Sequence, residues 1–308
     1  MAANSKIEWT NCTWNPLVGC SVCAAGCRFC YAMRMAHRLE AMSVPHYAGT
    51  TKKVNGKAVW TGQVNVAPEH VLMQPLRWKK PRRIFVNSMS DLFHEAVPDE
   101  AIDRIFAVMA LCPQHTFQVL TKRPARMREY LNRIGADDPA CDGLGILHAE
   151  AAPLLGDAVS DKAWEAMLCS DWPLPNVWLG TSISDQPDAE KFIPDLLATP
   201  AAVHFLSCEP LLGQIDLNPW LGKSGIGPGG RRFWNVAGLG WVICGGESGP
   251  KRRPMDLAWA RDVRDQCRAA GAPFFFKQVD KVQPIPPDLM VREWPGSSPM
   301  RTSGQGEE

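Results

Sequence analysis

Short apolar runs alternate along this chain with stretches in which apolar residues recur every three or four positions. Ile84-Phe85-Val86, Thr116 to Leu120, Val177-Trp178-Leu179, Val203 to Leu206, Trp241 to Cys244 and Phe274-Phe275-Phe276 are too short for helices and read as buried strands. Between them, Tyr31 to Glu40 sets Ala32, Met35, Ala36 and Leu39 on one helical face. Pro98 to Leu111 opens on Asp99 and Glu100, which suit a helix N-terminus, and aligns Ile102, Ile105, Phe106 and Met109. Ala125 to Ile134 is helix-like, and Asp185 caps a helix with the face Ala189, Phe192, Ile193 and Leu196. Asp256 to Ala270 is a last helix, stopped by Gly271 and Pro273. Buried strands alternating with amphipathic helices specify parallel βα units. The fold class expected is α/β, a partial or complete parallel βα (TIM-like) barrel with loop insertions.

Residues 41–83 have no such pattern and read as irregular. Residues 136–172 and 218–238 are rich in Gly, Pro and small residues, and read as insertions within a single domain over 1–292. Residues 293–308 have the composition of a disordered tail. With 33 Lys and Arg against 32 Asp and Glu, the net charge is +1, so no global field draws the protein to a polyanion and any such contact needs a local patch. No stretch reaches the roughly 20 apolar residues of a membrane span, and MAANSKIEWT lacks the apolar core of a signal peptide. A cytoplasmic protein without membrane contact is expected.

The strand ends share a feature. They run into Asn87-Ser88 and Asp91, into Thr121-Lys122-Arg123, into Gly180-Thr181-Ser182, into Ser207-Cys208-Glu209, into Gly245-Gly246-Glu247-Ser248, and into Lys277-Gln278. Loops begin at strand ends and are polar for that reason alone, yet in a parallel barrel these six termini converge on one rim, where such folds carry their sites.

Of eleven cysteines, Cys112, Cys141, Cys169, Cys208, Cys244 and Cys267 are scattered singly and read as small buried hydrophobes. The others crowd at Cys12, Cys20, Cys23, Cys27 and Cys30. Cys23, Cys27 and Cys30 have the spacing C-x3-C-x2-C, with Phe29 before the last thiol and Gly26 allowing a tight backbone path. Three thiolates on so short a loop can hold three irons of a [4Fe–4S] cluster and leave the fourth open. The competing reading is a structural zinc on Cys20, Cys23, Cys27 and Cys30, although zinc modules usually separate their two halves by a dozen or more residues.

The cysteine spacing resembles that of the radical S-adenosylmethionine (SAM) superfamily, which implies a barrel of the radical SAM type, a [4Fe–4S] cluster and SAM as cofactors, and an external flavodoxin- or ferredoxin-like one-electron reductant. Over most of the chain, NSKIEWT, TWNPLVGC, CYA, VLTKRP, NVWLGTSI, FLSCEPLLG, WVICGGESGP, RRPM and PFFFKQ resemble a phage- and bacteria-associated family of radical-SAM-like proteins with a three-cysteine motif. That family's cysteines match Cys20, Cys27 and Cys30, whereas the superfamily spacing favours Cys23 as the first ligand. Both sets stay open.

The resemblance implies SAM contacts after the second strand, where Asn87, Ser88 and Asp91 stand in place of a Gly-Gly-Glu turn. Thr121, Lys122, Thr181, Ser182 and Ser207 are further cofactor-binding candidates on the rim, with Lys122 or Arg123 expected on the SAM carboxylate or a substrate phosphate. Glu209, Glu247 and Lys277 are candidate catalytic groups, and Cys208 is a candidate hydrogen-atom donor by analogy with radical lesion-repair enzymes. The run Arg77-Trp78-Lys79-Lys80-Pro81-Arg82-Arg83 and the cluster Lys251-Arg252-Arg253 suggest a nucleic acid or nucleotide substrate, against the plainer reading of solvated basic loops. The rival class is a non-enzymatic nucleic-acid-binding protein carrying the four-cysteine zinc site.

Overall fold

Seven short strands pair side by side, all parallel and in chain order, in a computed structural model of the chain. They are β1 (Cys12–Trp14), β2 (Arg83–Val86), β3 (Thr116–Thr121), β4 (Val177–Ile183), β5 (Val203–Cys208), β6 (Trp241–Gly245) and β7 (Phe274–Gln278). The structure describes residue 5 and residues 7–134, 143–155, 159–169, 171–222, 225–226, 232–233 and 238–296. The sheet curls into a half-barrel. Among the described residues no pairing joins β1 to β7, so the barrel is partial.

The longer helices are α1 (Tyr31–Ala41), α2 (Asp99–Ala110), α3 (Pro124–Ile134), α4 (Gly143–Leu155), α5 (Asp161–Leu168), α6 (Gln186–Leu197) and α7 (Leu257–Ala270). Local chemistry sets several of their ends. The Asp185 carboxylate accepts from the Asp188 amide at 3.0 Å to start α6, and the Asp256 carboxylate accepts from the Ala258 amide at 2.8 Å to start α7. Gly271, at φ +73°, closes α7 in the left-handed conformation that a residue with a Cβ resists. The apolar faces expected of α2 and α6 are buried. On α1 the face is rotated: Met33 is buried with Ala32 and Ala36, and Met35 is exposed.

Strand pleating gives the sheet two different faces. Val86, Val119, Leu206, Cys208, Val242, Cys244, Phe274 and Phe276 join the main core on the helix side. Phe85, Phe205, Trp241, Ile243 and Phe275 project to the other side and, with Trp9, form a separate aromatic cluster. Its rings meet closely: Trp9 and Phe85 lie 4.7 Å apart, Phe205 and Trp241 5.7 Å, Trp241 and Phe275 6.3 Å. This cluster fills the inner face at the lower, N-terminal halves of the strands. Gly180 makes room for it, because a Cβ there would stand 2.6 Å from the Phe205 ring.

Two expectations, for residues 41–83 and for where the tail begins, need correction, and the expected insertions carry structure of their own. Residues 41–83 are not irregular: Thr51–Val54 and Lys57–Trp60 form a hairpin turning at Asn55-Gly56, both at positive φ, and Leu17–Val18 pairs antiparallel with Asn65–Val66. The expected insertion 136–172 carries α4 and α5, whose Leu147, Trp164 and Met167 are buried against the helix layer. In 218–238 the described residues Gly225–Ile226 and Arg232–Phe233 pair as a small hairpin. The expected tail begins too early: Glu293 donates its amide to the Phe274 carbonyl at 3.0 Å and Trp294 stacks edge-on to Phe275, whereas residues 297–308 lie outside the described residues. Among the described residues no helix is long and apolar enough to cross a membrane.

Replacing Gly180 with Ala forces the buried Phe205 ring to shift. Loss of about 1–3 kcal/mol, the usual range for overpacking, is expected from urea denaturation, with the m-value unchanged.

Candidate metal centre and cofactor cavity

Two residues above several inward apolar side chains, the same pleat presents a polar one. Phe85 is followed by Asn87, Leu120 by Lys122, Phe205 by Ser207 and then Glu209, and Phe275 by Lys277. These residues line one cavity at the C-terminal ends of the strands, together with Ser88, Asp91, Ser182 and Glu247. Cys20, Cys23, Cys27 and Cys30 line the same cavity.

The cysteine loop reaches this position after β1. Its Ala25–Cys27 segment is a 3-10 turn, in which Cys27 donates to the Ala24 carbonyl at 3.0 Å. Cys30 then donates to the Cys27 carbonyl at 3.2 Å and stands at the N-cap of α1. Gly26 serves close approach rather than an unusual φ: a Cβ would meet Ser184 Oγ at 2.5 Å and Pro210 Cδ at 3.2 Å. The loop therefore rests directly on the ends of β4 and β5.

Two cations accompany the thiols. Lys122 Nζ donates to Ser182 Oγ at 2.6 Å, and its charge favours the Cys27 thiolate. Arg123 Nη2 donates to Ser21 Oγ at 2.7 Å, and its Nη1 lies 3.9 Å from Cys20 Sγ. Arg123 is held in turn by Asp91 at 3.0 Å and Glu95 at 2.8 Å. Burial, followed by the charge of Asp91, pushes the Cys20 thiol up to about 12, and burial also raises Cys30. A hydrogen bond from the Cys23 thiol lowers Cys27 and raises Cys23. Thiols beside fixed cations are a donor set whose deprotonation metal ligation favours. Among the described residues no three His, Cys, Asp or Glu side chains are gathered tightly enough to clasp a single ion.

A second brace comes from the far end of the sequence. Glu247 accepts from Arg253 Nη2 at 2.6 Å, from its Nε at 3.1 Å and from its backbone amide at 2.9 Å. Arg253 Nη2 also donates to the Ala25 carbonyl at 3.2 Å, and its guanidinium lies 5.5 Å from the centroid of the Phe29 ring. The late Gly-Gly-Glu thus reaches the cysteine loop through an arginine. Across the cavity, Lys277 and Glu209 pair at 2.9 Å.

Several expected roles change. Asp91 lines the cavity, but its oxygens accept from Thr121 Oγ1, the Lys122 and Phe93 amides and Arg123, so it organises its neighbours. Thr121 is engaged by that bond, and Thr181 is buried outside the cavity with its hydroxyl on the Thr121 carbonyl at 2.9 Å. Cys208 is fully buried on the helix side of the sheet, away from the cavity, because the pleat turns it opposite to Ser207; it cannot donate a hydrogen atom into the site. Cys12 is likewise core, and Cys169 is exposed. The run from Arg77 to Arg83 leads into the N-terminal end of β2, opposite the cavity, with Arg82 stacked 5.1 Å from the Trp78 ring centroid. Arg252 and Arg253 are occupied by Asp280 and Glu247.

Sequence reasoning did not place Tyr31 and Trp60, which also line the cavity, or show that Asn87 Nδ2 and Gln278 Oε1 are buried without a hydrogen-bond partner. Asn87 sits at φ +61°, a conformation Asn tolerates better than most residues, and its Oδ1 accepts from the Leu17 amide at 3.3 Å. Nδ2 is buried without a hydrogen-bond partner.

A sequence profile for a family described as proteins of unknown function, DUF5131, matches residues 4–296. No curated protein and no solved structure matches the chain.

Replacing Arg123 with Met leaves the Asp91 carboxylate buried without its cation, and a loss of about 3–5 kcal/mol on denaturant unfolding is expected. Replacing Arg253 with Leu frees the loop locally. Hydrogen–deuterium exchange should rise in residues 24–30 while the strands keep their protection, and equal protection in that loop would rule the brace out.

Proposed function

The chain belongs to the DUF5131 family, and we propose that it acts there as a radical SAM enzyme whose cavity holds a [4Fe–4S] cluster and SAM. The observation that carries this reading is the convergence of four cysteine thiols and the polar C-terminal ends of parallel strands on a single cavity. The donor set fits the group: the thiols surround a cavity, with Lys122 and Arg123 placed to offset thiolate charge. Cys27 and Cys30 belong to either ligand set, with Cys20 or Cys23 as the third.

The chemistry a bound cluster and SAM supply is one-electron cleavage of the sulfonium to a 5′-deoxyadenosyl radical, which takes hydrogen from substrate. The chain's own residues hold and shield the reactants. Asn87, Gln278, Ser88 and Ser207 give the cavity lining its polar amide and hydroxyl side chains. Ser182 holds the Lys122 ammonium beside the cysteine loop, where it attracts carboxylate or phosphate. Glu209 and Lys277 form a paired wall, and the aromatic floor excludes water from below. A nucleic acid or nucleotide is the proposed substrate class, and a flavodoxin- or ferredoxin-like protein the proposed reductant.

Iron, sulfide and zinc analysis of protein purified without oxygen tests the reading. About four irons and four sulfides per chain, with absorbance near roughly 400 nm, are expected. Whichever of Cys20→Ala and Cys23→Ala loses the iron identifies the third ligand. One zinc in a colourless protein would sink the radical SAM reading and leave a zinc-stabilised binding protein.

A further inference from the structure

Charge is spread unevenly over this nearly neutral chain. Residues 28–60 carry six cations, Arg28, Arg34, Arg38, Lys52, Lys53 and Lys57, against the single acid Glu40. All six are exposed, and among the described residues none of them forms an ion pair with a carboxylate. Many arginines elsewhere are committed, among them Arg123, Arg126, Arg128, Arg133, Arg252 and Arg253. Glu40 itself is turned inward, accepting from Thr51 Oγ1 at 2.7 Å and the Gly49 amide at 2.7 Å, so it ties the hairpin to α1 and does not offset the lysines.

Register decides which way the hairpin faces. Lys52 opposes Val59 and Val54 opposes Lys57, which puts these four on one side of the ribbon; Thr51 and Trp60, paired on the other side, are buried. The same ribbon therefore turns Lys52 and Lys57 away from the side that delivers Trp60 to the cavity wall, while Lys53, opposite Ala58, lies on the Trp60 side and is exposed. Tyr31, at the start of α1, also lines the cavity while remaining 45% exposed, and Phe29 lies between the cysteines beside it. Arg28 sets its guanidinium 5.4 Å from the centroid of the Phe29 ring in the cavity lining, and an unneutralised cation beside an aromatic ring is part of a site that tracks a phosphate backbone and stacks bases.

We propose that α1 and the 51–60 hairpin form a binding surface for single-stranded nucleic acid, which brings a nucleotide to the cavity. The inference deepens the substrate class proposed above and moves the contact from Arg77–Arg83, at the opposite end of the sheet, to the cavity's own margin. A single strand is favoured because a paired base must leave its stack to enter a cavity, whereas an unpaired one is already free.

Fluorescence anisotropy of labelled single-stranded DNA and RNA oligonucleotides, titrated with the full-length protein over a series of salt concentrations, tests this. Wild type is expected to bind with an affinity that falls as salt rises. Combining Lys52→Glu, Lys53→Glu and Lys57→Glu should weaken binding by at least about tenfold and flatten the log–log salt slope by about 2, as for three lost phosphate contacts on a single strand. Tyr31→Ala should weaken it about 5- to 150-fold, the range for one lost stacking contact. Lys79→Glu with Lys80→Glu should bind as wild type. Thermal melts confirm that each variant is folded, and Lys57→Ala, a milder change, should give an intermediate loss. Absent or salt-insensitive binding, or a triple variant that binds normally, overturns the proposal. So does a triple variant that binds normally but is reduced more slowly by a flavodoxin, which would assign the surface to an acidic protein. Because the readout is binding, it separates from the radical reading: strand binding without SAM cleavage supports this surface and counts against that chemistry alone.

Discussion

A side chain two residues further along a strand emerges on the same face of the sheet. In this chain that periodicity joins two incompatible environments. Inward positions are aromatic low in the sheet and polar at the top, as Phe85 gives way to Asn87, Phe205 to Ser207 and Phe275 to Lys277. No intervening layer separates floor from cavity. Their separation rests on register alone, since a slip of one residue would carry the polar set into the helix-covered core and the rings into the helix layer.

Above the floor, the cavity is organised by ion pairs that reach across the fold. Asp91 gathers the Thr121 hydroxyl, the Lys122 amide and Arg123, and Arg123 passes the constraint to Ser21 in the cysteine loop. Glu247 does the same from the other side through Arg253 and Ala25. Both carboxylates are nearly buried, so each pairing is needed simply to hold a charge away from water. The result is a loop of thiols whose supports are also the charges that surround it.

Much of this was legible in the residues. The six apolar runs were strands, and α1, α2, α3, α6 and α7 appeared within a residue or two of their expected ends, because burial and period agree there, whereas α4 and α5 lay in a stretch read as an insertion. The first strand, Cys12–Trp14, escaped notice: three residues are too few for a pattern. The hairpin at Asn55-Gly56 had a readable signal in its turn dipeptide but lacked alternating apolar residues, being mostly exposed lysines. Strand-end polarity pointed to the rim, yet composition cannot say which way a side chain faces. Ser207 and Cys208 are adjacent and chemically plausible, and only the pleat assigns one to the cavity and the other to the core. Charge pairing was hidden for a related reason: Asp280, which neutralises Arg252, is distant in sequence, and Glu247, which holds Arg253, reads from the sequence as a catalytic group.

The contact between Arg253 and the Ala25 carbonyl closes a span of 228 residues, and Arg123 reaches Ser21 across 102. Contacts of such separation form late, after shorter loops have closed. During synthesis the cysteines leave the ribosome before both groups that hold their loop, Arg123 and, much later, Arg253. The loop thus acquires its shape only in a completed sheet, and maturation of the thiol site becomes a step that follows folding.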